Sequence, residues 1–515
     1  MSCRGWIVAG GVLIASACGE VQEAQDVDAG AQDVDAGEDG SPALVQDVTA
    51  EPTTVVPAGA ISLEVTVDAP DSDNLTYSWS APDGWELNEE DAPETELTAP
   101  DDYGASATIE VVVTNEAGES DQGDVTVGTD DPFCGGDGSE DEPWEICSAT
   151  TLNRVGIHED YLADHFELTQ SIDMNDIDAE SFHSIGSADA PFAGTFDGDD
   201  HTIYNLSIDS EEDEIGLFGV IGTEGRVENI VLTDVTVTGT ESVGPLAAVN
   251  GGTVDNCHVD VDDDPSSAAS VEATVVAGGL VGRAVDGSSI ANSSSNAFID
   301  VVSERPAIAA GGLVGMVSAE DEAAVVKRAY ALGHARAYTN VVYDDPGNAD
   351  VQVSAATGGL VGKLEGELAR VEDSYAVGLA YAIVDAFPAP ESDDEYVLPA
   401  AGGLVGWSLD ANIRTSYAIG EAYFHFRHPI LELEGPADAI AGGNHEEVEP
   451  TFPPGSLSHL YHHDDHSSDH DDATGLTTSE FGFQSNFDEA WDFDDTWTIG
   501  QAPDGEQRPI LRWQD

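Results

Sequence analysis

Histidine and aspartate are concentrated in one short stretch near the end of the sequence. Four histidines of this stretch, His462, His463, His466 and His470, stand among acidic residues. Imidazole nitrogens and carboxylates are ligands that Zn²⁺, Cu²⁺ and Ni²⁺ accept in proteins. No fixed two-ligand spacing repeats within the stretch. The sequence therefore leaves weak transition-metal binding and a solvated loop open, and it predicts no dedicated cofactor.

Catalytic motifs are the next candidates. A zinc protease needs His-Glu-x-x-His on one helix face, and the strings His445–Glu449 and His158–Leu162 both lack the second histidine. Paired carboxylates could serve a carbohydrate-active enzyme, but 102 acidic residues make any single pair uninformative. No motif gathers the 14 lysines and arginines. We therefore expect no catalytic residues and no enzymatic activity, with a carbohydrate lyase or hydrolase as the alternative.

The charge balance excludes one class of partner. The 102 acidic residues against 14 basic ones give a formal charge of -88 at pH 7, which would repel nucleic-acid phosphates. Salt screens the self-repulsion of such a surface, with a Debye length of about 3 Å near 1 M. The composition thus favours adaptation to a saline habitat. A surface that collects divalent cations, weak Ca²⁺ sites included, and a merely soluble acidic surface stay open.

The first residues have the features of a signal peptide that ends at residue 17. Arg4 precedes the apolar run Trp6–Ile14, and small residues lead to Cys18. The junction Ala15–Cys18 resembles a bacterial lipobox, although Ala15 stands where leucine is usual. The resemblance implies a lipid on Cys18 that anchors the chain to a membrane, and ordinary secretion is the alternative. Gly19 favours, by the same analogy, an outer-membrane lipoprotein exposed at the surface or in the periplasm.

Three further cysteines have separate interpretations. Cys134 and Cys147 bracket a Gly- and Asp-rich loop, and export brings them into an oxidising compartment, so we predict a disulfide. Closing so short a loop would contribute about 2–3 kcal/mol. Cys257, in Asp-Asn-Cys-His, is expected to be a small buried residue rather than a nucleophile.

Two regions follow the signal. Residues 18–42 repeat an Ala-Gln-Asp-Val-Asp-Ala-Gly unit, and their like charges and glycines predict a disordered acidic tether. Residues 43–128 contain alternating stretches such as Ile61–Val67 and Thr108–Val113, which predict a small β-sandwich with Trp79 on a central strand. Tyr77-Ser-Trp79 and Val113–Gly118 resemble the Ig-like or polycystic-kidney-disease-type modules of surface proteins.

A pentapeptide recurs within residues 131–515. It reads Gly-Gly-Leu-Val-Gly at unequal intervals. The four intact copies are Gly278, Gly279, Leu280, Val281, Gly282; Gly311, Gly312, Leu313, Val314, Gly315; Gly358, Gly359, Leu360, Val361, Gly362; and Gly402, Gly403, Leu404, Val405, Gly406. A constant motif with variable spacing predicts a fixed coil that carries loops of different length.

Such coils must stack, because a single coil cannot bury its own apolar side. Short alternating strands without helical periodicity predict a parallel β-helix. We expect the central leucine and valine of each copy to point inward. The flanking glycines are expected to permit positive φ at a corner and close approach of neighbouring coils.

The region also resembles the GLUG-motif proteins. Asp141–Ile146 is similar to their entry segment, Phe192–Gly198 to their first coil, and residues 474–515 to their closing segment. The resemblance implies a right-handed parallel β-helix of the kind found in adhesin-like bacterial surface proteins, with no activity of its own. We therefore expect an all-β, non-catalytic surface lipoprotein that binds extracellular polymers or other cell surfaces.

Overall fold

The computed structural model describes most of the chain from residue 44 onward. The described residues are 44–68, 74–177, 182–261, 269–305, 307–342, 353–387, 397–427, 432–436, 457–458, 460–463, 473–476, 478–481, 483–488, 490–502 and 506–514. The chain divides after Asp130 into two compact units, which are taken separately below. No described helix is both long and apolar enough to cross a bilayer.

The first unit is a sandwich of two four-stranded sheets that share one apolar core. Alternating residues of its longest strands point into that core, as their period of two requires. One sheet contains Leu44–Glu51, Ala60–Asp68, Glu94–Thr98 and Glu86–Leu87, and the other contains Thr54–Val55, Ser120–Thr129, Ser106–Thr114 and Thr76–Ser80.

Trp79 anchors this core from an edge of the described sheet, and the prediction of a central strand was therefore wrong. The indole is 2% exposed, and its Nε1 donates to the carbonyl of Ala92 at 2.8 Å. A buried indole needs such an acceptor, and a neighbouring loop can supply it at a sheet edge.

The second unit is a parallel β-helix, as the repeats predict. Each complete coil contributes one short strand to each of five sheets, which we name first to fifth in the order in which a coil visits them. Within the described residues the first two sheets have ten strands each, the third has eight, and the fourth and fifth have six each. All their pairings are parallel except the last pair of the third sheet.

The strands are short, and their bounds follow. The first sheet contains Trp144–Ile146, His165–Leu168, Thr195–Asp197, Arg226–Glu228, Thr253–Asp255, Ser289–Ala291, Ala324–Lys327, Ala369–Glu372, Asn412–Arg414 and Leu457–Ser458. The second contains Ile172–Asp173, Thr202–Tyr204, Val231–Thr233, His258–Asp260, Ser294–Ser295, Tyr330–Ala331, Tyr375–Ala376, Tyr417–Ala418, Leu460–His463 and Ala473–Leu476. The third contains Ser207–Asp209, Thr236–Thr238, Ser270–Ala273, Phe298–Ser303, Ala335–Val342, Ala380–Phe387, Ala422–Arg427 and Glu432–Pro436. The fourth contains Glu214–Ile215, Ser242–Val243, Val276–Gly278, Ala307–Gly311, Val353–Gly358 and Val397–Gly402. The fifth contains Phe218–Ile221, Ala247–Asn250, Val281–Ala284, Val314–Ser318, Val361–Glu365 and Val405–Leu409.

One continuous apolar core runs through the stacked coils. In the first sheet, for example, equivalent residues of successive strands form an inward column that includes Val254, Ile290 and Val326. Columns of this kind let each coil bury its apolar side against its neighbours.

A small cap covers the start of this unit. Helix Ala149–Ile157 begins at Ser148, whose hydroxyl accepts from the backbone of Thr151 in a capping box. The helix inserts Leu152 and Val155 into the core. Short 3₁₀ turns follow at Glu159–Tyr161 and Met174–Asp176.

The last segment packs on the outer side of the second sheet. There Tyr330, Tyr375 and Tyr417 stack on successive strands with ring centroids 5.0 and 4.9 Å apart. Trp497 and Trp513 pack against these rings, and the Tyr417 hydroxyl donates to the Pro509 carbonyl at 2.6 Å. The segment contains helix Thr478–Phe481, 3₁₀ turns Gln484–Asn486 and Arg512–Gln514, and the hairpin Trp497–Gln501 with Gln507–Leu511.

Candidate binding surface

The repeat motif lies at the corner between the fourth and fifth sheets. The structure brings the four intact copies into register, so that Gly311 pairs with both Gly278 and Gly358. Leu280, Leu313, Leu360 and Leu404 are all fully buried in the common core. Their backbones form a ladder of 2.9 Å hydrogen bonds from each leucine N–H to the next leucine carbonyl. The motif therefore builds the corner, and its leucines are buried core residues that offer no surface to a ligand.

The glycines of the motif allow neighbouring coils to approach each other closely, and this is their only observed role. None of them has positive φ, and that half of the prediction was wrong. A Cβ on Gly312 would lie 1.9 Å from the carbonyl oxygen of Gly359 and 2.9 Å from the Cβ of Ala331. The stacked backbones leave no room for a side chain, so the spacing between coils requires glycine here.

The predicted metal candidates are not brought together in the part of the structure that is described. His466 and His470 lie outside the described residues, and only the backbone is described for His462 and His463. No group of three or more His, Cys, Asp or Glu side chains that could hold a metal ion occurs among the described residues. Cys18 also lies outside them.

The remaining cysteines have defined environments. Cys134 and Cys147 form a disulfide with their Cα atoms 6.1 Å apart, next to the cap of the β-helix. Cys257 is fully buried, and burial raises the pKa of its thiol to about 12. A thiol with so high a pKa is protonated at neutral pH and is a poor nucleophile.

The outer side of the third sheet presents a surface that the sequence reasoning missed. Large apolar side chains alternate there with core residues such as Ala337 and Ala382. We call this surface the aromatic face. It consists of Phe298, Val302, Tyr338, Tyr381, Ile383 and Tyr423.

Two columns organise the aromatic face. In one column, Tyr381 is in register with Tyr423 on the next strand. In the other, Tyr338 lies between Val302 and Ile383 on three successive strands. Phe298 and Val302 are each 46% exposed and Tyr423 is 37% exposed, whereas the other three are partly buried. Tyr381 and Tyr423 are thus separated by the spacing of neighbouring strands, about 4.8 Å.

Polar groups lie within and beside this face, and Arg336 is in register with Tyr381. The Arg336 guanidinium forms a two-pronged ion pair with Asp300, with an Nε–Oδ1 distance of 2.8 Å. The Tyr338 hydroxyl donates to Asp385 Oδ2 at 3.0 Å. The Tyr423 hydroxyl donates to Glu421 Oε2 at 2.9 Å, a bond that raises the pKa of this tyrosine. These contacts restrain both phenol rings.

Sequence comparison finds relatives for parts of the chain. No protein-family model matches it. It is 34% identical to halomucin of Haloquadratum walsbyi over 170 residues, which are 31% of this chain and 2% of halomucin. It is 36% identical over 138 residues, 25% of this chain, to a protein of Evansella cellulosilytica described as a Gly-rich membrane protein, of which 16% is covered.

Two further similarities involve immunoglobulin A1 proteases. The enzyme of Streptococcus sanguinis is 29% identical over 219 residues, 41% of this chain and 10% of the protease. A solved IgA1 protease structure covers 76% of this chain with a TM-score of 0.38 and 15% identity, and 28% of that structure is covered. The chain therefore spans only a small part of each relative.

The sequence similarity corrects one prediction. We expected the chain not to be an enzyme, and its similarity to an IgA1 protease contradicts that expectation. The absence of His-Glu-x-x-His from this sequence does not exclude enzymatic activity. The matched residues are 41% of this chain and 10% of the protease.

Proposed function

We propose that this chain is a cell-surface protein that adheres to an extracellular polysaccharide through its aromatic face. One observation carries the proposal. Of the seven large apolar side chains that are exposed among the described residues, three lie on the outer side of the third sheet, and the partly buried Tyr338, Ile383 and Tyr381 connect Val302 with Tyr423. Contiguous exposed apolar patches of this kind mark interaction sites more often than scattered single residues do.

The chemistry of the face suits sugar rings. A pyranose has an apolar C–H face and polar edges, and a tyrosine offers a flat ring with a polar tip. The rings of Tyr381 and Tyr423 lie on neighbouring strands, so one polymer can engage two coils at once. Multiple weak contacts on one chain add up to firm attachment.

The surface setting has separate support. One relative is described as a membrane protein, and Cys18 stands in a lipobox-like junction. In the proposal a lipid on Cys18 anchors the chain to the outer membrane, residues 18–42 act as a tether, and the sandwich is an Ig-like spacer. The β-helix, interpreted as a GLUG-type repeat, then presents the aromatic face to polymers or neighbouring cells.

A sedimentation assay with insoluble polysaccharides tests the proposal. The full chain is incubated with cellulose, chitin and insoluble β-glucan, and the bound fraction is measured. We expect binding to at least one polymer and a loss of about tenfold or more in the Tyr381→Ala/Tyr423→Ala variant, since each stacked ring contributes about 1 kcal/mol or more.

Ile157→Ala is the matched control. Ile157 is 49% exposed and lies in the cap helix, away from the third sheet. Its variant should bind like the parent chain. Equal loss in both variants, or unchanged binding in the double tyrosine variant, would refute the assignment of the face.

A further inference from the structure

The fourth and fifth sheets form a re-entrant corner on the outside of the β-helix. Val276, Ala309 and Ala356 occupy equivalent positions in the fourth sheet, on the side opposite the main core. They are nonetheless only 4%, 2% and 1% exposed. Their cover comes from the outer side of the fifth sheet, where Met316 and Trp407 pack against them. The outer faces of the two sheets therefore fold toward each other.

The third glycine of the repeat motif permits this fold. A Cβ on Gly315 would lie 2.6 Å from Cγ1 of Val276 and 2.7 Å from the carbonyl oxygen of Ala277. A larger residue would push the fourth sheet away from the fifth. The motif thus builds a corner that runs along the stacking direction, which we call the trough. Met316 and Trp407 cover the small apolar side chains at its base, so a ligand meets the outward side chains of the fifth sheet.

Cations and an aromatic ring line one wall of the trough. One outward column of the fifth sheet contains Arg283, Met316, Lys363 and Trp407 on four successive strands. Arg283 and Lys363 are two strands apart, a separation of about 10 Å at the usual spacing. Two of only 14 basic residues therefore share one column in a chain of net charge -88.

Both cations keep donors for a ligand. Within the described part of the chain, Nε of Arg283 is buried without a hydrogen-bond partner. Lys363 pairs with Glu365 on its own strand at 2.6 Å, and its side chain is 27% exposed. An ammonium has three donors, so one ion pair leaves others available. A guanidinium carries five N–H donors, so the other nitrogens of Arg283 can donate to an incoming carboxylate.

We propose that this trough binds an acidic polysaccharide. Two carboxylates of the polymer meet Arg283 and Lys363, and a sugar ring packs on Trp407. The two cations of the wall argue for an anionic ligand, and their separation of about 10 Å suits an elongated ligand that carries more than one carboxylate. A peptide that adds a strand could pair only at the end strands of these two sheets, and the strands that carry Arg283 and Lys363 are paired on both sides. The site is separate from the aromatic face and does not depend on the function proposed for it.

The net charge gives the site an unusual salt dependence. The surrounding carboxylates repel a polyanion over a Debye length of about 30 Å at 0.01 M salt, which shortens to about 10 Å at 0.1 M. The contacts in the trough act at hydrogen-bond distance and are screened less. Binding should therefore strengthen between 0.01 and 0.1 M NaCl, the reverse of ordinary binding between a cationic site and a polyanion.

The test uses polygalacturonate and its fully methyl-esterified form with the full chain at 0.1 M NaCl. We expect affinity for the acidic polymer only, and a loss of about tenfold or more in Arg283→Gln/Lys363→Gln. Arg226→Gln, which removes a cation from the first sheet, is the matched control and should bind normally. The Tyr381→Ala/Tyr423→Ala variant should also keep this binding, which separates the trough from the aromatic face.

Three results would overturn the proposal. These are no binding of polygalacturonate by the parent chain, equal binding of the esterified polymer, and unchanged binding by the double cation variant. Thermal melting checks that the variants fold. If the double variant does not, Lys363→Gln alone is compared with Arg226→Gln by the same criteria.

Discussion

The side-chain amide of Asn292 donates from Nδ2 to Oδ1 of Asp255, one coil earlier, at 2.7 Å. Asn292 has φ of 49° and occupies the corner between the first and second sheets. Asn229 lies at the same corner two coils before Asn292 and has φ of 57°. Its Nδ2 donates to Oδ1 of Asp197, again one coil earlier, at 2.8 Å. Asparagine tolerates this left-handed conformation better than most residues. It therefore turns the chain and satisfies a carboxylate at the same time.

Two substitutions at Asn292 should separate these roles. Asn292→Gly keeps the left-handed conformation and loses the bond to a charged acceptor, so we expect a cost of about 1.5–3 kcal/mol. Asn292→Ala adds about 1–2 kcal/mol of backbone strain. The melting temperature should therefore be highest for the parent, lower for Asn292→Gly and lowest for Asn292→Ala. Equal melting temperatures for the three chains would contradict this explanation.

Gly312→Ala should be far more damaging than most glycine substitutions. The new Cβ would face the Gly359 carbonyl at 1.9 Å, and the backbones on both sides are held in the stack. We expect a drop in melting temperature of several degrees or a failure to fold. Gly251→Ala is the control, because its nearest neighbour would be 3.3 Å away. Similar melting of the two variants would show that close packing at the motif is not required.

The repeat motif predicted the β-helix because its four copies mark the same corner of four coils, although the loops between them differ in length. Local detail was harder to predict. Val254–Val261 looks like one strand, but the left-handed Asn256 divides it between the first and second sheets. The aromatic face was missed for a different reason. Tyr381 and Tyr423 follow Tyr375 and Tyr417 at the same spacing, so the sequence shows their register, but which side of the strand faces outward becomes visible only in the structure.

Low salt should destabilise the β-helix through one column of carboxylates. Glu145, Glu167 and Asp197 are in register on successive strands of the first sheet, and Glu228 and Asp255 continue the column. Burial, followed by repulsion from Glu145, Asp199 and Asp197, raises the pKa of Glu167. We expect the melting temperature to rise between 0.01 and 1 M NaCl as the repulsion is screened.

Glu167→Gln tests the origin of that effect. The variant removes one charge from the middle of the column, so it should melt higher than the parent at 0.01 M NaCl and show a smaller rise with salt. Glu224→Gln, at a surface turn outside the column, should keep the slope of the parent. A Glu167→Gln slope equal to that of the parent would rule out the column as a main source of salt dependence.

Acid should weaken the contact between His258 and the closing segment. The imidazole packs against Trp513 at a centroid distance of 5.1 Å, and burial lowers the His258 pKa despite the opposing effect of Asp260 and Asp200. Ser294 Oγ and Asn256 Oδ1 face its two nitrogens at 2.9 and 3.1 Å. The folded chain binds this proton less readily than the unfolded chain. The stabilisation is therefore present above pH of about 6.5 and is lost as the pH falls below it.

His258→Gln should remove that part of the pH dependence. The difference in melting temperature between the parent and the variant is measured from pH 8 to pH 5, since the many carboxylates affect both chains alike. The parent should lose its advantage as the pH falls. A difference that is constant with pH would show that His258 does not titrate in this range.

Cys18→Ala should release the protein from the cell envelope if the proposed lipid anchor exists. The parent should incorporate a labelled fatty acid and sediment with membranes, whereas the variant should do neither. Cys3→Ala is the control, because that residue precedes the junction. Labelling of the Cys18→Ala variant, or membrane association without any label in the parent, would contradict the anchor.

Adhesion of cells that display the chain tests the central claim most directly. Cells carrying the parent chain, Tyr381→Ala/Tyr423→Ala or Ile157→Ala at equal surface density are allowed to settle on the polysaccharide that sediments the purified chain. They are then detached under increasing shear. The aromatic face predicts that parent and Ile157→Ala cells resist equally while the tyrosine variant detaches like cells without the chain. Equal resistance by all three displaying strains would contradict it.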